Sequence, residues 1–329
     1  MTRALVIIAA FFSPALLAAA AGHSQTSTRQ PVPHSQSSPE PQLFAPNAVS
    51  IGGLTTYRPA FSPDGRTVYF TADVRGGYAI GVSQLENGTW SPPALASFSG
   101  HYSDAEAFLS PDGSQLFFAS QRPILAGGSP REDYDIWVVD RTTRGVLGQP
   151  RHLGPAVNTQ FNELYPAVTA SGTLYFARSE GGERSDLWRA PRARGRYPAA
   201  VRLPPPVNSG AREAGVFVAP DESYILFDST RAGGIGNSDI YRSNRLSTGW
   251  SAPVNLPAPI NSSALETSAM VSPDGRTLYF TSGRRISRPG IGAGLTLSAL
   301  IAGATAPGNG QQHIYSIPLS TSGRSGPRK

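Results

Sequence analysis

The sequence contains no cysteine, and this absence excludes several kinds of protein at once. Without a thiol there is no disulfide framework, no thiolate metal site and no cysteine for lipid attachment behind an export signal. Histidine is also scarce: region 42–319 holds only His101, His152 and His313, whose spacing matches no metal site. The Gly-x-Ser-x-Gly elbow of serine hydrolases is missing too. We therefore expect no metal and no other cofactor, and no motif identifies a catalytic residue.

Long apolar runs are almost absent as well. One, at 291–306, lies in a Gly/Ala-rich insert. The other follows Arg3, spans 4–17 with Pro14 inside it, and leads to small residues at Ala19 and Ala21. A basic start, a short apolar run and a small-residue end are typical of a cleaved secretory signal, and a membrane anchor is the alternative. We predict a signal peptide at 1–21 and a periplasmic or secreted protein with no membrane span after cleavage.

Positive and negative charges nearly balance over most of the chain. The formal net charge is +6, but Arg3 and the last ten residues contribute four of these charges, so region 42–319 carries about +2. Segment 22–41 is rich in Ser, Gln, Thr and Pro, and segment 320–329 in Gly, Ser and Arg. Such compositions predict a disordered tether and a disordered tail around one domain at 42–319. We expect a monomer that does not bind nucleic acid.

What the sequence does contain is a repeat of short strands and turns. The stretch Ser272-Pro-Asp-Gly-Arg-Thr-Leu-Tyr-Phe has five approximate copies, which end at Phe70, Phe118, Phe176, Phe227 and Phe280. Pro-Asp-Gly favours a tight turn and Leu-Tyr-Phe favours a strand, so each copy predicts a strand, a turn and a second strand. A self-similar unit of about 50 residues made of strands indicates a β-propeller.

The copies extend to four strands each. A third strand follows a Gly-rich loop, as in Asp239-Ile-Tyr, and a polar fourth strand contains prolines that only an edge strand tolerates. The fifth copy lacks a fourth strand, so we predict that residues 42–49 supply it and close the ring. The fold class is therefore all-β, with five four-stranded blades. Six blades are the alternative, because the Gly/Ala-rich insert at 284–312 is a loop, a helix or a sixth-blade fragment.

These residues also resemble a known family. Ser-Pro-Asp-Gly-x-x-Leu-Tyr-Phe, followed by Asp239-Ile-Tyr and Gly249-Trp-Ser-Ala-Pro-Val-Asn-Leu, is similar to the WD40-like Pro-Asp β-propeller repeats of TolB-type proteins. The resemblance covers 43–319, without the α/β domain that precedes the propeller in that family. It implies a non-enzymatic binding or scaffolding module of the bacterial cell envelope. The implied partner is an envelope protein or a cell-wall or surface polymer.

One position of the repeat is acidic in four of the five copies. It lies nine residues before the turn glycine and holds Asp104, Glu163, Glu213 and Glu266. Because the first strand of a blade lines the propeller channel, we predict a ring of carboxylates at one channel mouth that binds a cation or a basic peptide segment. The alternative is that each acid accepts N–H bonds in its own loop or pairs with an Arg of the next blade. A glycosidase or lyase that uses the same carboxylates is the rival function.

A second position holds an Arg four residues after the Tyr-Phe strand. Its members are Arg122, Arg231 and Arg284, and acids open the third strand at Asp135, Asp186 and Asp239. We predict Arg–Asp bridges within the blades that hold the Gly-rich loops, with ligand binding as the alternative.

Region 184–202 is strongly basic. It carries Arg184, Arg189, Arg192, Arg194, Arg196 and Arg202, against Asp186 as its one acid. One interpretation is that this loop binds an anionic partner, for example lipopolysaccharide, a teichoic-like polymer or an acidic protein face. The alternative is a solvated loop with no partner.

Overall fold

The strands form five separate sheets around one channel, as the repeat predicts. The computed structural model describes residues 39–182, 184–285, 296, 298, 302–303 and 305–319. The predicted signal peptide at 1–21, the tether up to residue 38 and the tail at 320–329 lie outside these residues. Among the described residues, no helix has the length and apolar character that crossing a membrane requires.

Each sheet is one blade, with neighbouring strands antiparallel. Blade 1 contains β2 (Thr56–Phe61), β3 (Thr67–Val74), β4 (Gly77–Glu86), β5 (Thr89–Trp90) and β6 (Ala94–Leu95). Blade 2 contains β7 (Asp104–Leu109), β8 (Gln115–Ser120), β9 (Asp135–Asp140) and β10 (Arg151–His152). Blade 3 contains β11 (Asn162–Val168), β12 (Leu174–Ser179), β13 (Asp186–Ala190) and β14 (Val201–Arg202).

The last two blades share the same plan. Blade 4 contains β15 (Glu213–Val218), β16 (Tyr224–Ser229), β17 (Asp239–Leu246), β18 (Gly249–Trp250) and β19 (Val254–Asn255). Blade 5 contains β20 (Glu266–Val271), β21 (Thr277–Ser282) and β22 (His313–Pro318), and its fourth strand is β1 (Gln42–Leu43). Gln42 pairs with Ser316 and Leu43 with Tyr315, so the N-terminal strand closes the ring. This confirms the five-bladed prediction.

The Pro-Asp turn is stabilised by its own side chains. In blade 1 the Ser62 hydroxyl donates to Asp64 Oδ1 at 2.5 Å, and the same oxygen accepts the backbone N–H of Arg66 at 3.0 Å. Gly65 comes next with a φ of 69°, a left-handed conformation that glycine adopts without the cost of a Cβ. The aspartate of the Pro-Asp repeat therefore serves to stabilise the turn.

The last Phe of each copy forms the core between the blades. These five side chains are at most 1% exposed, namely Phe70, Phe118, Phe176, Phe227 and Phe280. Burial of one such ring contributes about 1.5–3 kcal/mol, so the repeated position makes a large part of the folding free energy.

The insert at 284–312 falls mostly outside the described residues. At its base Arg285 and Asn309 form an antiparallel bridge, and inside it Ala302 and Gly303 are helical. The described residues form no sixth sheet, which removes the six-bladed alternative.

Candidate functional site

The four predicted acids lie at the beginning of the innermost strands, but they do not face solvent. We call them the register acids: Asp104, Glu163, Glu213 and Glu266, each of them 0% exposed. Each is directly opposite a residue of the second strand; Asp104, for example, pairs with Ser120 and Glu213 with Ser229. This placement differs from the open ring that the sequence predicts.

Three register acids, Glu163, Glu213 and Glu266, have both carboxylate oxygens bonded within their own blade and entry loop. Asp104 accepts the Ser120 hydroxyl and an N–H of Arg122 at Oδ1, whereas its buried Oδ2 has no partner among the described residues. Glu213 Oε1 accepts the hydroxyls of Ser209 (2.6 Å) and Ser229 (2.9 Å) and an N–H of Arg231 (3.2 Å). Its Oε2 accepts the backbone N–H of Ser209 at 3.1 Å. Glu266 repeats this arrangement with equivalent partners, namely Ser262, Ser282 and Arg284. Such carboxylates stabilise the loop and are not free to receive a ligand.

The predicted arginines have different partners from those expected. Arg122, Arg231 and Arg284 bond the register acids Asp104 (2.7 Å), Glu213 (3.2 Å) and Glu266 (3.2 Å). In blade 3 the same role falls to Arg178, which lies directly opposite Glu163 and 2.7 Å from it. The bridges are therefore to the acid that begins the first strand and not to the aspartate that opens the third.

The three aspartates of the third strands each have a separate partner. Asp135 lies 2.8 Å from Arg131 and 3.1 Å from His152, and Asp186 lies 2.7 Å from Arg202. Asp239 accepts the backbone N–H groups of 235 and 236 and an Nδ2–H of Asn255. The predicted pairing of Arg122, Arg231 and Arg284 with the third-strand aspartates is therefore wrong. Pairing of the first two strands of a blade brings the register acid next to the arginine, which bonds it instead.

A ring of channel residues, which we call the bulge ring, occurs two positions after the register acids and after Thr56, their counterpart in blade 1. Every innermost strand bulges there and places a residue with φ between 53° and 63° in the channel. The five residues are Arg58, Glu106, Tyr165, Gly215 and Ser268. Sequence reasoning missed this ring, although its variation from blade to blade distinguishes it from the repeated structural positions.

The ring is joined by side-chain bonds between neighbouring blades. Glu106 Oε2 accepts the backbone N–H of Tyr165 at 2.6 Å, and Asp228 Oδ1 accepts that of Ser268 at 3.0 Å. Arg212 donates to the other oxygen of Asp228 at 2.7 Å. Desolvation raises the pKa of Glu106 to about 7, against the opposing attraction of the Arg58 cation. These groups hold the blades together and fill the middle of the channel.

The open space of the channel is at the opposite end from the register acids. A cavity of about 490 Å³ lies where the innermost strands end and the Pro-Asp turns begin, in blades 1, 2, 4 and 5. We name it the turn-end cavity. Its apolar lining includes Phe61, Phe108, Phe217 and Met270, and the rings of Phe108 and Phe217 are 6.4 Å apart between centroids. The innermost strands run along the channel. The register acids lie at the beginning of these strands, at one end of the channel, and the cavity lies at the other end, where the strands finish.

The rim of the turn-end cavity is acidic. Asp221 and Asp274 belong to two of its turns, and hydrogen bonds from Ser223 and Ser272 lower the pKa of each carboxyl below its ordinary value. Both are therefore ionised at neutral pH. None of the described residues that line the cavity is Lys, Arg or His. An apolar wall below two exposed carboxylates favours an occupant that has both apolar and cationic groups.

The described residues do not form a metal centre: no three His, Asp or Glu side chains among them are grouped to hold a metal ion. The carboxylates of the channel wall also have internal partners, as the bonds of Glu213 and Glu266 illustrate.

Comparison with known proteins finds relatives by structure only. No protein-family profile and no curated protein sequence matches the chain. A putative TolB from Agrobacterium tumefaciens is 16% identical, with 82% of this chain and 91% of that chain covered and a TM-score of 0.47. For TolB from Acinetobacter baumannii the identity is 17%, the TM-score is 0.45, and the alignment covers 81% of this chain but 55% of that one.

An enzyme is also among the similar structures. An α-L-arabinofuranosidase from Lactobacillus brevis is 14% identical, with 84% of this chain and 92% of that chain covered and a TM-score of 0.51. At these identities the likeness shows the fold alone. The chain is a five-bladed β-propeller, as its Pro-Asp repeats predict, and TolB structures are among those that it resembles.

Proposed function

We propose that this propeller is an exported, non-enzymatic binding module of the bacterial cell envelope. In this proposal the turn-end cavity receives a basic peptide segment of an envelope protein. The observation that carries the proposal is the combination of a roughly 490 Å³ apolar cavity with the carboxylates of Asp221 and Asp274 at its rim. A cavity of this volume is in the ordinary range of ligand pockets.

The chemistry of the cavity supports a peptide over an anionic polymer. A Lys or Arg side chain places an apolar stem against Phe108, Phe217 and Met270 while its charged end reaches the rim. An anionic cell-wall polymer is repelled by the same two carboxylates. The four register acids contribute no binding surface in this proposal, because they are buried and bonded to their own arginines.

Export is part of the proposal and is based on the sequence of residues 1–21. The N-terminal sequence of the protein recovered from the periplasm or the medium tests it. Cleavage after residue 21 is the expected result. A protein that stays in the cytoplasm with residues 1–21 attached would remove the envelope from the proposed function.

The chain offers an unusually clean probe of the cavity. It has two methionines, Met1 in the predicted signal and Met270 in the cavity wall. Incorporation of a photoreactive methionine analogue therefore places a cross-linker at Met270 alone in the exported form. We expect irradiation in an envelope extract to attach a Lys- or Arg-containing peptide of one partner protein, identified by mass spectrometry.

Two variants decide whether the rim charges matter. D221N/D274N removes both rim carboxylates, and we expect at least a tenfold loss of the cross-linked product. D73N/E86Q removes two exposed acids outside the cavity lining and serves as the matched control, with no loss expected. The proposal fails if the cross-linked segment lacks basic residues, if both variants behave alike, or if the protein cleaves glycans.

A further inference from the structure

A second concave surface lies between blades 2 and 3, outside the channel. This groove has a volume of about 270 Å³. On one side it is lined by Arg151 and His152 of β10, and on the other by Arg192, Arg196 and Tyr197 from the basic region after β13. We name it the interblade groove. It shares no lining residue with the turn-end cavity, so a ligand in the groove is independent of the function proposed for that cavity.

A tight hairpin holds the basic residues of blade 3 in place. Ala193 and Arg196 exchange two backbone hydrogen bonds, of 2.8 and 3.0 Å. Between them Arg194 and Gly195 have φ values of 49° and 78°, the left-handed pair that a two-residue hairpin turn requires. Arg196 lines the groove, as does Arg192 just before the hairpin, whereas Arg194 at the tip does not.

The two groove arginines have unused hydrogen-bond donors. Within the described part of the chain, the guanidinium groups of Arg192 and Arg196 take part in no hydrogen bond or ion pair. By contrast, Arg189 and Arg202 of the same basic region are bonded to Glu222 (3.0 Å) and Asp186 (2.7 Å). Arg189 and Arg202 therefore have an ion-pair partner, whereas Arg192 and Arg196 line the groove without one.

Tyr197 lines the groove, and its hydroxyl is a third unused donor that lies beneath the groove surface. Its oxygen is buried and has no hydrogen-bond partner among the described residues. Burial raises the pKa of Tyr197 to about 12, so the hydroxyl keeps its proton at neutral pH. A buried hydroxyl without a partner is unfavourable, and binding of an acceptor removes that penalty.

The other polar groups of the groove are already matched. Arg151 donates to Asp140 at 2.8 Å, and Gln115 donates to the same carboxylate at 2.9 Å. His152 accepts the backbone N–H of Gly154 at Nδ1, and its Nε2 lies 3.1 Å from Asp135. Among the described residues, Arg192 and Arg196 are the charged groups of the groove that form no hydrogen bond or ion pair, and the nearby Asp140 carboxylate attracts Arg192 at longer range.

We propose that the interblade groove binds an oxyanion of the phosphate class. Guanidinium groups present paired N–H donors that match phosphate oxygens, and a shift of the Tyr197 ring toward the groove lets its hydroxyl donate to a third oxygen. The anion is free phosphate or pyrophosphate, or the phosphate of a lipid headgroup. The proposed ligand of the basic region is therefore a phosphate-class anion, bound in the interblade groove.

Calorimetric titration of the purified protein with inorganic pyrophosphate at low salt tests this proposal. R192Q/R196Q is expected to weaken binding at least tenfold, and Y197F severalfold. R194Q is the matched control, because it removes the same kind of charge from the tip of the same hairpin; its affinity should change less than twofold. Equal thermal midpoints of all four proteins show that the fold is retained.

Three results overturn the proposal. One is an equal loss of affinity in R194Q and R192Q/R196Q, which would mean general attraction to a basic surface. Another is full affinity in both R192Q/R196Q and Y197F. The third is the absence of binding to millimolar pyrophosphate and to vesicles. Sedimentation with phosphatidylglycerol vesicles, against phosphatidylcholine vesicles, then distinguishes the sources: binding to the first points to a lipid headgroup, and pyrophosphate binding without sedimentation points to a free phosphate.

Discussion

Arg58 of blade 1 reaches across the channel and donates from Nη2 to the carbonyl oxygen of Pro166 in blade 3 at 2.7 Å. The same nitrogen donates to the carbonyl oxygen of Val216 in blade 4 at 3.1 Å, and the side chain is fully buried. One guanidinium therefore connects three innermost strands. With Glu106 and Tyr165 it belongs to the ring of residues at the strand bulges, and none of the three lines the turn-end cavity.

Gly215 is the member of the bulge ring that has no room for a side chain. A Cβ at this position would lie 1.7 Å from Asp228 Oδ1 and 2.9 Å from the backbone nitrogen of Ser268. Asp228 cannot move away without breaking its bonds to Arg212 and Ser268. We expect Gly215→Ala to lower the free energy of unfolding by roughly 3 kcal/mol or more, measured by urea denaturation.

Gly65 provides the control for backbone strain alone. Its φ of 69° is also left-handed, but a Cβ there meets no atom within 4 Å. Gly65→Ala should cost about 1 kcal/mol. Equal losses in the two variants would mean that the contact with Asp228 contributes nothing.

The buried Arg–acid bridges predict large losses of stability when one partner is removed. Arg122 and Asp104 are 2.7 Å apart, and their side chains are 8% and 0% exposed. Arg122→Met leaves the carboxylate buried without its cation, so we expect a loss of about 3–5 kcal/mol in the free energy of unfolding.

An exposed bridge of the same length is the comparison. Arg202 and Asp186 are also 2.7 Å apart, but their side chains are 45% and 25% exposed. Arg202→Met should cost less than about 1 kcal/mol because water already screens the pair. A loss from Arg122→Met that is no larger than this would contradict a structural role for the register acids.

Much of the fold is predictable from the sequence because the turn chemistry repeats. Each Pro-Asp turn and each terminal Phe marks the same place in a blade, and the missing fourth strand of blade 5 predicts the pairing of β1 with β22. The insert at 284–312 has no such repeat, and its sequence leaves three alternatives open. Local turn and strand preferences therefore determine the architecture but not the insertion.

The site is less predictable because a repeated acid is either an open carboxylate that can bind a ligand or a buried carboxylate that is bonded within its own blade. Whether Glu213 is open or saturated depends on Ser229 and Arg231, which the chain brings opposite it only after the strands pair. The sequence does hold a signal, since Ser-x-Arg recurs at 120–122, 229–231 and 282–284 in three of the blades with those acids. The turn-end cavity has no sequence signal of its own, because its walls are the same apolar residues that form ordinary strands.

Glu106 predicts a pH dependence of stability that runs against the usual direction for a carboxylate. Burial raises its pKa to about 7 in the folded protein, from an ordinary value of 4.5. Between these values the unfolded chain has lost the proton and the folded protein has kept it. The free energy of unfolding should therefore fall as the pH rises from about 4.5 to 7, by on the order of a few kcal/mol from this one group.

Glu106→Gln isolates that contribution. The amide oxygen can still accept the backbone N–H of Tyr165, but the side chain no longer titrates. Asp104 and Glu163, whose pKa values are also raised by burial, remain in both proteins and cancel in the difference. Urea denaturation across pH 4.5–8 should show the wild type losing stability relative to Glu106→Gln as the pH rises. Parallel curves would mean that Glu106 does not hold a proton in the folded channel, and that the attraction of Arg58 outweighs the cost of its burial.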